Sequence, residues 1–278
     1  MATLGDLLAR AAELAAVSAS SRLDLELLLC AATGCSRTLL YARPETELTD
    51  AQAQEFETLF ARRLSGEPMA YILGEREFWS LSLRVSPATL IPRPETELLV
   101  ELALELVTES RAEVLDLGTG SGAIALALAR ERPQWRVTGI DRSAAALAVA
   151  EANRAALALE NAHFRTGDWL AGDTECYHLI VANPPYVDPA DPHLERGDVR
   201  FEPRAALVAA ERGLADLRAI AAAAPDHLLP GGWLLLEHGA DQGEAVRALC
   251  AARLEQVQSW RDLAGHERVS GGRRPEQR

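Results

Sequence analysis

Short apolar runs alternate with helical patterns through the second half of the chain, and this alternation constrains the fold most strongly. Residues 114–117 have the pattern of a buried strand, and residues 123–130 follow a glycine-rich loop with the spacing of a helix. Residues 137–140 and 144–159 repeat this pair. Because parallel neighbours need a crossover connection that is usually a helix, the pattern predicts a doubly wound, mostly parallel α/β sheet.

The remaining elements of this half follow the same alternation. Further strands are predicted at residues 163–166, 177–182 and 232–237, and helices at 95–108, 214–229 and 241–252. Two short closing strands are expected near Val257 and Val269. Residues 271–278 are expected to be frayed, as chain ends commonly are.

The first 66 residues have a different character and predict a small helical domain. Leu4, Leu7 and Leu8 begin a helical spacing, and Thr49-Asp50 is a candidate N-cap for a helix at 51–64. This segment has no catalytic constellation, so it either docks a partner or is a purely structural cap. Residues 67–90, including an extended stretch from Tyr71, are predicted to be a β-hairpin linker, and residues 91–278 form the α/β domain.

Composition and charge exclude several classes of function. The net charge is −13, which disfavours non-specific binding to nucleic acid because the chain repels polyphosphate. No apolar run is long enough to span a membrane, and the N-terminus lacks the basic segment of a secretory signal. Histidines and cysteines show no metal-ligand spacing, so we expect no metal site. We expect a cytoplasmic monomer with reduced thiols.

Four residues stand where the strand at 177–182 ends: Asn183, Pro184, Pro185 and Tyr186. The carboxyl edge of an open α/β sheet is where such folds bind their ligands. The prolines stiffen the backbone and leave carbonyl oxygens as acceptors, and the Asn side chain adds another acceptor. Acceptors beside a flat ring suit a planar NH2 group. The alternative is that these prolines only form a turn.

A glycine-rich loop, Gly118-Thr119-Gly120-Ser121-Gly122, joins the strand at 114–117 to the following helix and predicts a nucleotide site. Its spacing also satisfies the dinucleotide pattern if Ala123 takes the last position, so the loop alone does not exclude NAD. Asp141 ends the next strand, where an acidic residue binds ribose hydroxyls.

Asp168 and Trp169 favour S-adenosylmethionine over NAD. After the third strand they offer a carboxylate for an exocyclic amine and a ring for a base. In this interpretation Asp141 binds the ribose, Asp168 and Trp169 contact the adenine, and the glycine loop lies under the methionine part. The alternatives are that Asp168 is a turn residue and Trp169 a core residue.

The chain resembles the HemK/PrmC family, the N5-glutamine methyltransferases of bacterial peptide-chain release factors, over nearly its whole length. The Asn-Pro-Pro-Tyr motif is shared with amino-methyltransferases of adenine and cytosine, whereas the segments that contain Arg93-Pro94-Glu95-Thr96 and Arg200-Phe201-Glu202-Pro203 are more specific. The matching segments are residues 70–74 (AYILG), 91–97 (IPRPETE), 114–122 (VLDLGTGSG), 183–186 (NPPY), 197–203 (GDVRFEP), 235–239 (LLEHG) and 267–269 (ERV). The tail departs from the family because it shows no clear closing strand.

The resemblance implies a Rossmann-like class I methyltransferase domain with a seven-stranded sheet, preceded by a helical domain that helps to bind the release factor. It implies methyl transfer from S-adenosylmethionine to the glutamine of a Gly-Gly-Gln tripeptide. We expect Asn183, Pro184 and Tyr186 to be catalytic: the Asn183 oxygen and the Pro184 carbonyl accept both substrate N–H groups, and Tyr186 packs on the amide. Asn183 is also expected to contact the cofactor, and Pro185 the substrate.

Weaker expectations concern the surroundings of this motif. Phe78 and residues 201–203 either form the wall of the glutamine pocket or are ordinary packing residues, and Arg93 and Glu97 either position the loop or form an ion pair. His238 is expected to be structural. Two rival functions remain open: an adenine-N6 methyltransferase acting on nucleic acid, which the acidic chain disfavours, and a regulatory nucleotide-binding module without catalysis.

Overall fold

The computed structural model describes residues 2–276. Three of its N-terminal helices begin after a residue whose side chain accepts from a free backbone N–H group: Thr3, Ser36 and Thr49. Thr3 and Thr49 each form a capping box, with Asp6 and Gln52 respectively. The predicted cap at Thr49 is therefore confirmed. The helices of this part are α1 (Leu4–Leu8), α2 (Ser21–Thr33), α3 (Arg37–Ala42), α4 (Asp50–Leu64) and α5 (Met69–Leu73).

These helices belong to a compact unit that extends to Glu75 and also contains residues 192–201. Its core is a cluster of leucines around Phe56 and Phe60. A buried ion pair links α2 to α4, with 2.7 Å between Arg63 Nε and Asp24 Oδ2. Three short 3-10 helices lie in this unit, at Ala9–Leu14, Pro192–Glu195 and Gly197–Phe201.

The linker differs from the prediction at its start. Residues 71–73, expected to be extended, belong to α5. Pro68 stands before this helix, and Gly74 ends it in a left-handed conformation with φ +75°, which glycine adopts without strain. The apolar residues bury one side of a single helical turn, and so short a run does not distinguish helix from strand.

The predicted hairpin follows directly, with strands β1 (Glu75–Phe78) and β2 (Leu81–Arg84). Trp79 and Ser80 form its turn with φ of 51° and 58°, the left-handed pair that a two-residue hairpin requires. Two side chains from later in the chain hold the hairpin. Glu97 Oε1 accepts from the Trp79 N–H at 2.8 Å, and Asn153 Oδ1 accepts from the Arg84 N–H at 2.7 Å.

The second compact unit comprises residues 76–191 and 202 onward, and it contains the predicted α/β sheet. Predicted strands and helices are found, with bounds that differ by up to four residues. Its strands are β3 (Glu113–Leu117), β4 (Arg136–Asp141), β5 (Ala162–Thr166), β6 (Tyr177–Ala182), β7 (Leu228–Glu237), β8 (Glu255–Arg261) and β9 (Glu267–Arg273). Its helices are α6 (Glu97–Leu106), α7 (Ala123–Glu131), α8 (Ala144–Leu157), α9 (Arg204–Leu207), α10 (Ala210–Gly213), α11 (Ala215–His227) and α12 (Gly243–Ala251), with a 3-10 turn at Pro94–Thr96 before α6.

The sheet has seven strands in the order β5-β4-β3-β6-β7-β9-β8, so the predicted fold class is confirmed. The first five are parallel, and β9 pairs antiparallel with both β7 and β8. Apolar clusters cover both faces, because a parallel sheet is buried between helices. From β3 the chain first adds strands on one side (β4, β5) and then on the other (β6, β7). The connections from β3 and β6 therefore run in opposite directions, which leaves a crevice at the carboxyl edge of the sheet.

The expectation of a frayed tail is wrong for residues 271–273, which belong to β9. Gly271 and Gly272 are buried, and a Cβ at Gly271 would lie 2.1 Å from the Leu234 carbonyl oxygen. The glycines that suggested a flexible end therefore permit close strand packing. The last two residues of the predicted frayed segment, 277 and 278, lie outside the described residues.

The domain limits at residues 66 and 90 stay predictions. Within the described part of the chain, no helix is long and apolar enough to cross a membrane.

Candidate active site

The glycine-rich loop closes a tight turn between β3 and α7. Gly118, Gly120 and Gly122 have φ of 73°, 56° and 82°, a left-handed region that side chains rarely adopt. The Gly118 and Thr119 N–H groups both donate to the Ile140 carbonyl, at 2.8 and 2.9 Å. A Cβ at Gly118 would lie 3.3 Å from the Trp169 ring, so the absence of a side chain leaves space beside this ring.

Asp141, at the end of β4, is bound to the backbone of this loop. Its Oδ2 accepts from the Gly120 N–H at 3.0 Å, and its Oδ1 accepts from the Ser143 N–H at 2.8 Å. Each carboxylate oxygen has a second acceptor position, so the side chain can still bind two hydroxyl groups.

Asp116 lies below the loop, almost fully buried. Its Oδ2 accepts from the Thr119 hydroxyl at 2.6 Å, whereas its Oδ1 has no hydrogen-bond partner among the residues described. Burial raises the pKa of this carboxyl to about 7, and the Asp141 charge acts in the same direction.

A cavity of about 160 Å³ lies over the loop at the carboxyl edge of the sheet. Asp141, Asp168, Trp169 and Asn183 all contribute to its lining. Trp169 has φ of 48° and packs partly against the core. Burial raises the pKa of Asp216, and a hydrogen bond donated by Trp169 opposes this shift because it favours the charged carboxylate. The Trp169 ring therefore faces the cavity and is also part of the packing.

The Asn183 side chain is oriented by a hydrogen bond. Its Nδ2 donates to Thr96 Oγ1, with 3.1 Å between the two atoms. Thr96 is buried in the 3-10 turn before α6. Because the amide nitrogen is engaged there, the Asn183 Oδ1 is directed away from Thr96 and is available as an acceptor.

Tyr186 contacts a buried carboxylate. Its hydroxyl donates to Glu237 Oε1 at 3.1 Å, and Glu237 is 1% exposed at the end of β7. Burial raises the pKa of Glu237 to about 7, and burial together with the neighbouring carboxylate raises the pKa of the Tyr186 phenol.

The backbone of the same loop is held from the other side. The Gln242 side-chain nitrogen donates to the Tyr186 carbonyl at 3.0 Å, and the Val187 N–H donates to the Leu207 carbonyl at 2.9 Å. Gly213, with φ of 83°, lies against the Tyr186 carbonyl so closely that a Cβ would be 2.0 Å from its oxygen. The loop is therefore fixed by several elements and is not a free turn.

Known proteins resemble this chain over most of its length. The family description "PrmC N-terminal domain" matches residues 6–74, and "Methyltransferase small domain" matches residues 94–197. The Release factor glutamine methyltransferase of Pseudomonas aeruginosa is 55% identical over 257 residues, which cover 92% of this chain and 93% of that protein. The protein of the same name from Escherichia coli K12 is 51% identical over 260 residues, with the same coverage of 92% and 93%.

The chain belongs to the release factor glutamine methyltransferase family. Among solved structures, a methyltransferase from Pyrococcus furiosus is similar with a TM-score of 0.55 and 16% identity, covering 79% of this chain and 99% of that one. This likeness supports the fold alone.

Most residues predicted for the site lie together. Six contribute to the cavity lining besides Asn183: Gly118, Gly120, Asp141, Asp168, Trp169 and Pro185. Thr119, Ser121 and Pro184 are buried and do not line it, and neither do Gly122 and Tyr186. The roles assigned to all of these residues stay predictions.

The weaker expectations have mixed outcomes. Phe78 is 1% exposed in the apolar core, as the packing alternative states. Glu202 is buried and accepts from the Ile91 N–H at 3.0 Å and from Arg93, so it anchors the segment before α6. His238 is buried, with 2.7 Å between its Nε2 and Ser270 Oγ, an arrangement that suits a structural role.

Sequence reasoning missed Thr96, Glu237, Gln242 and Gly213 as parts of the site's support. A signal was present for Glu237, since an acidic residue directly after the apolar run 233–236 resembles Asp141 after its own strand. The others lie far from residues 183–186 in sequence, and only the fold brings them together.

Replacing Asp116 by Asn is expected to flatten the dependence of stability on pH. The pKa of this carboxyl is about 7 when folded and near 3.8 when unfolded, so the folded state retains the proton more strongly. This contribution to the free energy of unfolding is complete below pH 4 and is lost as the pH rises through 7. From pH 5 to 8 wild type should lose on the order of 2–3 kcal/mol that the Asn variant does not lose.

Urea unfolding of both proteins at pH 5, 6, 7 and 8 measures this difference. Asp226→Asn is the matched control, because Arg253 lowers the pKa of that exposed carboxyl and it titrates below the range tested. Parallel curves for wild type and Asp116→Asn would contradict the expectation.

Proposed function

We propose that this chain transfers a methyl group from S-adenosylmethionine to the side-chain amide nitrogen of the glutamine in the Gly-Gly-Gln motif of bacterial peptide-chain release factors. The observation that carries the proposal is the orientation of Asn183 at the cavity, with Nδ2 on Thr96 and Oδ1 left as an acceptor. High identity to relatives named Release factor glutamine methyltransferase supports the choice of substrate.

The residues around the cavity fit S-adenosylmethionine. Asp141 keeps acceptor positions for ribose hydroxyls, and Asp168 and Trp169 flank the place where the base would lie. The glycine loop brings backbone close to the cavity, where a Cβ at Gly118 would meet the Trp169 ring. When bound, S-adenosylmethionine supplies an electrophilic methyl group on its sulfonium.

The protein's own contribution is to orient and activate a poor nucleophile. The nitrogen lone pair of an amide is delocalised into its carbonyl, and it becomes available only as the nitrogen moves toward sp³ geometry. Asn183 Oδ1 and the Pro184 carbonyl would accept the two N–H bonds of the substrate amide and so direct its lone pair. Both acceptors also stabilise the positive charge that develops on nitrogen, because they are held in place before the reaction.

Proton transfer needs no strong base in this arrangement. The amide proton becomes acidic only as the N–C bond forms and the S–C bond breaks, and it then leaves, through the acceptor oxygen that binds it, to solvent water. The two prolines and the contacts at Tyr186 keep the acceptors rigid, which reduces the reorganisation needed during the reaction.

The proposed partner is a protein, the release factor, and the proposed location is the cytoplasm, where termination takes place. We propose that the helical unit helps to bind the release factor and that the enzyme acts as a monomer. Light scattering of the purified chain should give a mass near 30.0 kDa.

Transfer of labelled methyl from S-adenosylmethionine to a purified bacterial release factor tests the function. The control is the same factor with the glutamine of Gly-Gly-Gln changed to glutamate, assayed beside duplex DNA. We expect label on the wild-type factor alone. Label on DNA with none on the factor would refute the proposal and favour adenine as substrate.

A further inference from the structure

Glu237 is a buried carboxylate that touches the catalytic loop without lining the cavity. Glu237 follows Leu236 at the end of β7. Leu236 is the register partner of Ala182 in β6, and Ala182 precedes Asn183. The ends of two neighbouring parallel strands therefore bring Glu237 beside Asn183. One of its oxygens, Oε1, accepts from the Tyr186 hydroxyl at 3.1 Å, and the whole side chain is buried.

The hydroxyl of Thr96 connects this carboxylate to Asn183. Thr96 Oγ1 accepts from Asn183 Nδ2 at 3.1 Å, and the same hydroxyl favours the charged form of Glu237. A hydroxyl has one proton, and since its oxygen accepts from Asn183, that proton points elsewhere. The ionised carboxylate is its natural destination, because a carboxylate can only accept hydrogen bonds.

We infer that Glu237 is a positioning residue that acts through Thr96 to hold Asn183 with its oxygen, and not its NH2 group, toward the acceptor substrate. The inference rests on the proposed function and adds the reason why the Asn183 amide presents its oxygen to the substrate. An amide can rotate by 180° about its last bond with almost no change of shape, so packing alone does not determine which atom faces the cavity. An acceptor-only group at the end of the chain of hydrogen bonds does determine it.

The consequence for the substrate is specific. A glutamine amide brings two N–H donors, which the Asn183 oxygen can accept. A glutamate side chain brings only acceptors when ionised, and the same oxygen repels it. Glu237 therefore contributes to discrimination between Gln and Glu at the acceptor position, although it does not touch either.

Glu237→Gln tests the inference because it preserves shape and removes the acceptor-only character. We expect kcat at pH 8 to fall about 10- to 100-fold, by analogy with the loss seen when residues that orient metal ligands are replaced. The Kd for S-adenosylmethionine, measured by calorimetry, should stay within about threefold, because the change affects only the acceptor side of the site. Thr96→Val should reproduce the loss, and Thr96→Ser, which keeps the hydroxyl, should retain most of kcat.

Binding without turnover gives an independent readout. In the presence of S-adenosylhomocysteine, wild type should bind a release factor with Gly-Gly-Gln at least tenfold more tightly than the Gly-Gly-Glu variant, which corresponds to about 1.4 kcal/mol. In Glu237→Gln this ratio should fall toward unity, since Asn183 can then present its NH2 group to a carboxylate. A ratio unchanged by Glu237→Gln would overturn the inference.

The pH profile adds a third readout. Burial raises the pKa of Glu237, while Arg268 on β9 and the Tyr186 and Thr96 hydroxyls favour the charge and Glu95 opposes it. Wild-type kcat should therefore decline along an acid limb below pH 7. This limb should be smaller in Glu237→Gln, where Asp116 still titrates in that range. Glu95→Gln, an exposed neighbour, is the matched control and should keep both the limb and the Gln-over-Glu preference.

The outcomes separate this inference from the proposed function. If wild type transfers no methyl group to the factor, the proposed function fails. If wild type does transfer it and Glu237→Gln changes neither kcat nor the binding ratio, the function stands and the positioning role of Glu237 is wrong.

Discussion

Asn183→Ala is expected to lower kcat about 10²- to 10³-fold, while the Kd for S-adenosylmethionine changes less than about threefold. The size follows from the loss of one preorganised polar group aimed at developing charge, which commonly costs this much in other enzymes. Asn183 Nδ2 donates a hydrogen bond to Thr96, and this bond fixes the direction of Asn183 Oδ1. The Ala variant therefore lacks the oriented acceptor Oδ1. Single-turnover methyl transfer gives the rate, and calorimetry gives the cofactor affinity.

Asn161→Ala is the matched control for this experiment. Asn161 Nδ2 donates to the carbonyls of Ala129, Arg132 and Trp135, at 3.0, 3.2 and 3.1 Å. Its loss should reduce the free energy of unfolding by about 1–3 kcal/mol, because three part-buried carbonyls lose their donor, and should leave kcat near wild type below the unfolding transition. Equal losses of turnover and cofactor affinity in Asn183→Ala would instead indicate that Asn183 mainly holds the cofactor.

Asp24→Ala is expected to reduce the stability of the helical unit by about 3–5 kcal/mol, because it leaves Arg63 charged and buried. The exposed fractions of the two side chains are 5% for Arg63 and 6% for Asp24. Arg63 would keep its hydrogen bond to the Glu67 carbonyl and its contact with Asp198, with 3.2 Å between Nη1 and Oδ1. The Asp198 side chain is 46% exposed, so solvent weakens its compensation.

Two spectroscopic signals distinguish the units in this measurement. All five Trp residues lie outside the helical unit, so their fluorescence reports on the α/β unit, whereas far-UV circular dichroism reports on both. Urea unfolding followed by circular dichroism should show the loss. Asp226→Ala, which breaks the exposed pair with Arg253, is the matched control and should cost at most about 1 kcal/mol. A loss of that size in Asp24→Ala would mean that the buried pair contributes little.

Much of the α/β unit was predictable because its signals are local. Alternating apolar runs and helical spacing predicted the strands and helices, and the glycine loop, Asp141 and residues 183–186 each stand where a predicted strand ends. Carboxyl ends of parallel strands meet at one edge, so a list of strand ends is already a list of candidate site residues. Seven of the predicted site residues indeed line one cavity.

Two local predictions failed where short segments were ambiguous. Residues 69–73 form one turn of helix, and Gly271 lies inside a strand. A run of five apolar residues does not reveal its period, and a glycine is equally compatible with a loose end or a close backbone contact. In both places packing against distant residues decided the conformation.

The sequence by itself determined the fold class, the order of the elements and the chemical character of the site, because these depend on residue types at spacings of a few positions. Tertiary structure alone decided the direction of each polar group. Thr96, Asn183 and Glu237 are separated by more than fifty residues at each step, yet the fold brings them together at the carboxyl edge, where Asn183 donates to Thr96 and the two strand ends are adjacent. Whether Asn183 offers an oxygen or an NH2 group depends on the partner that lies behind it, and no spacing in the sequence encodes that contact.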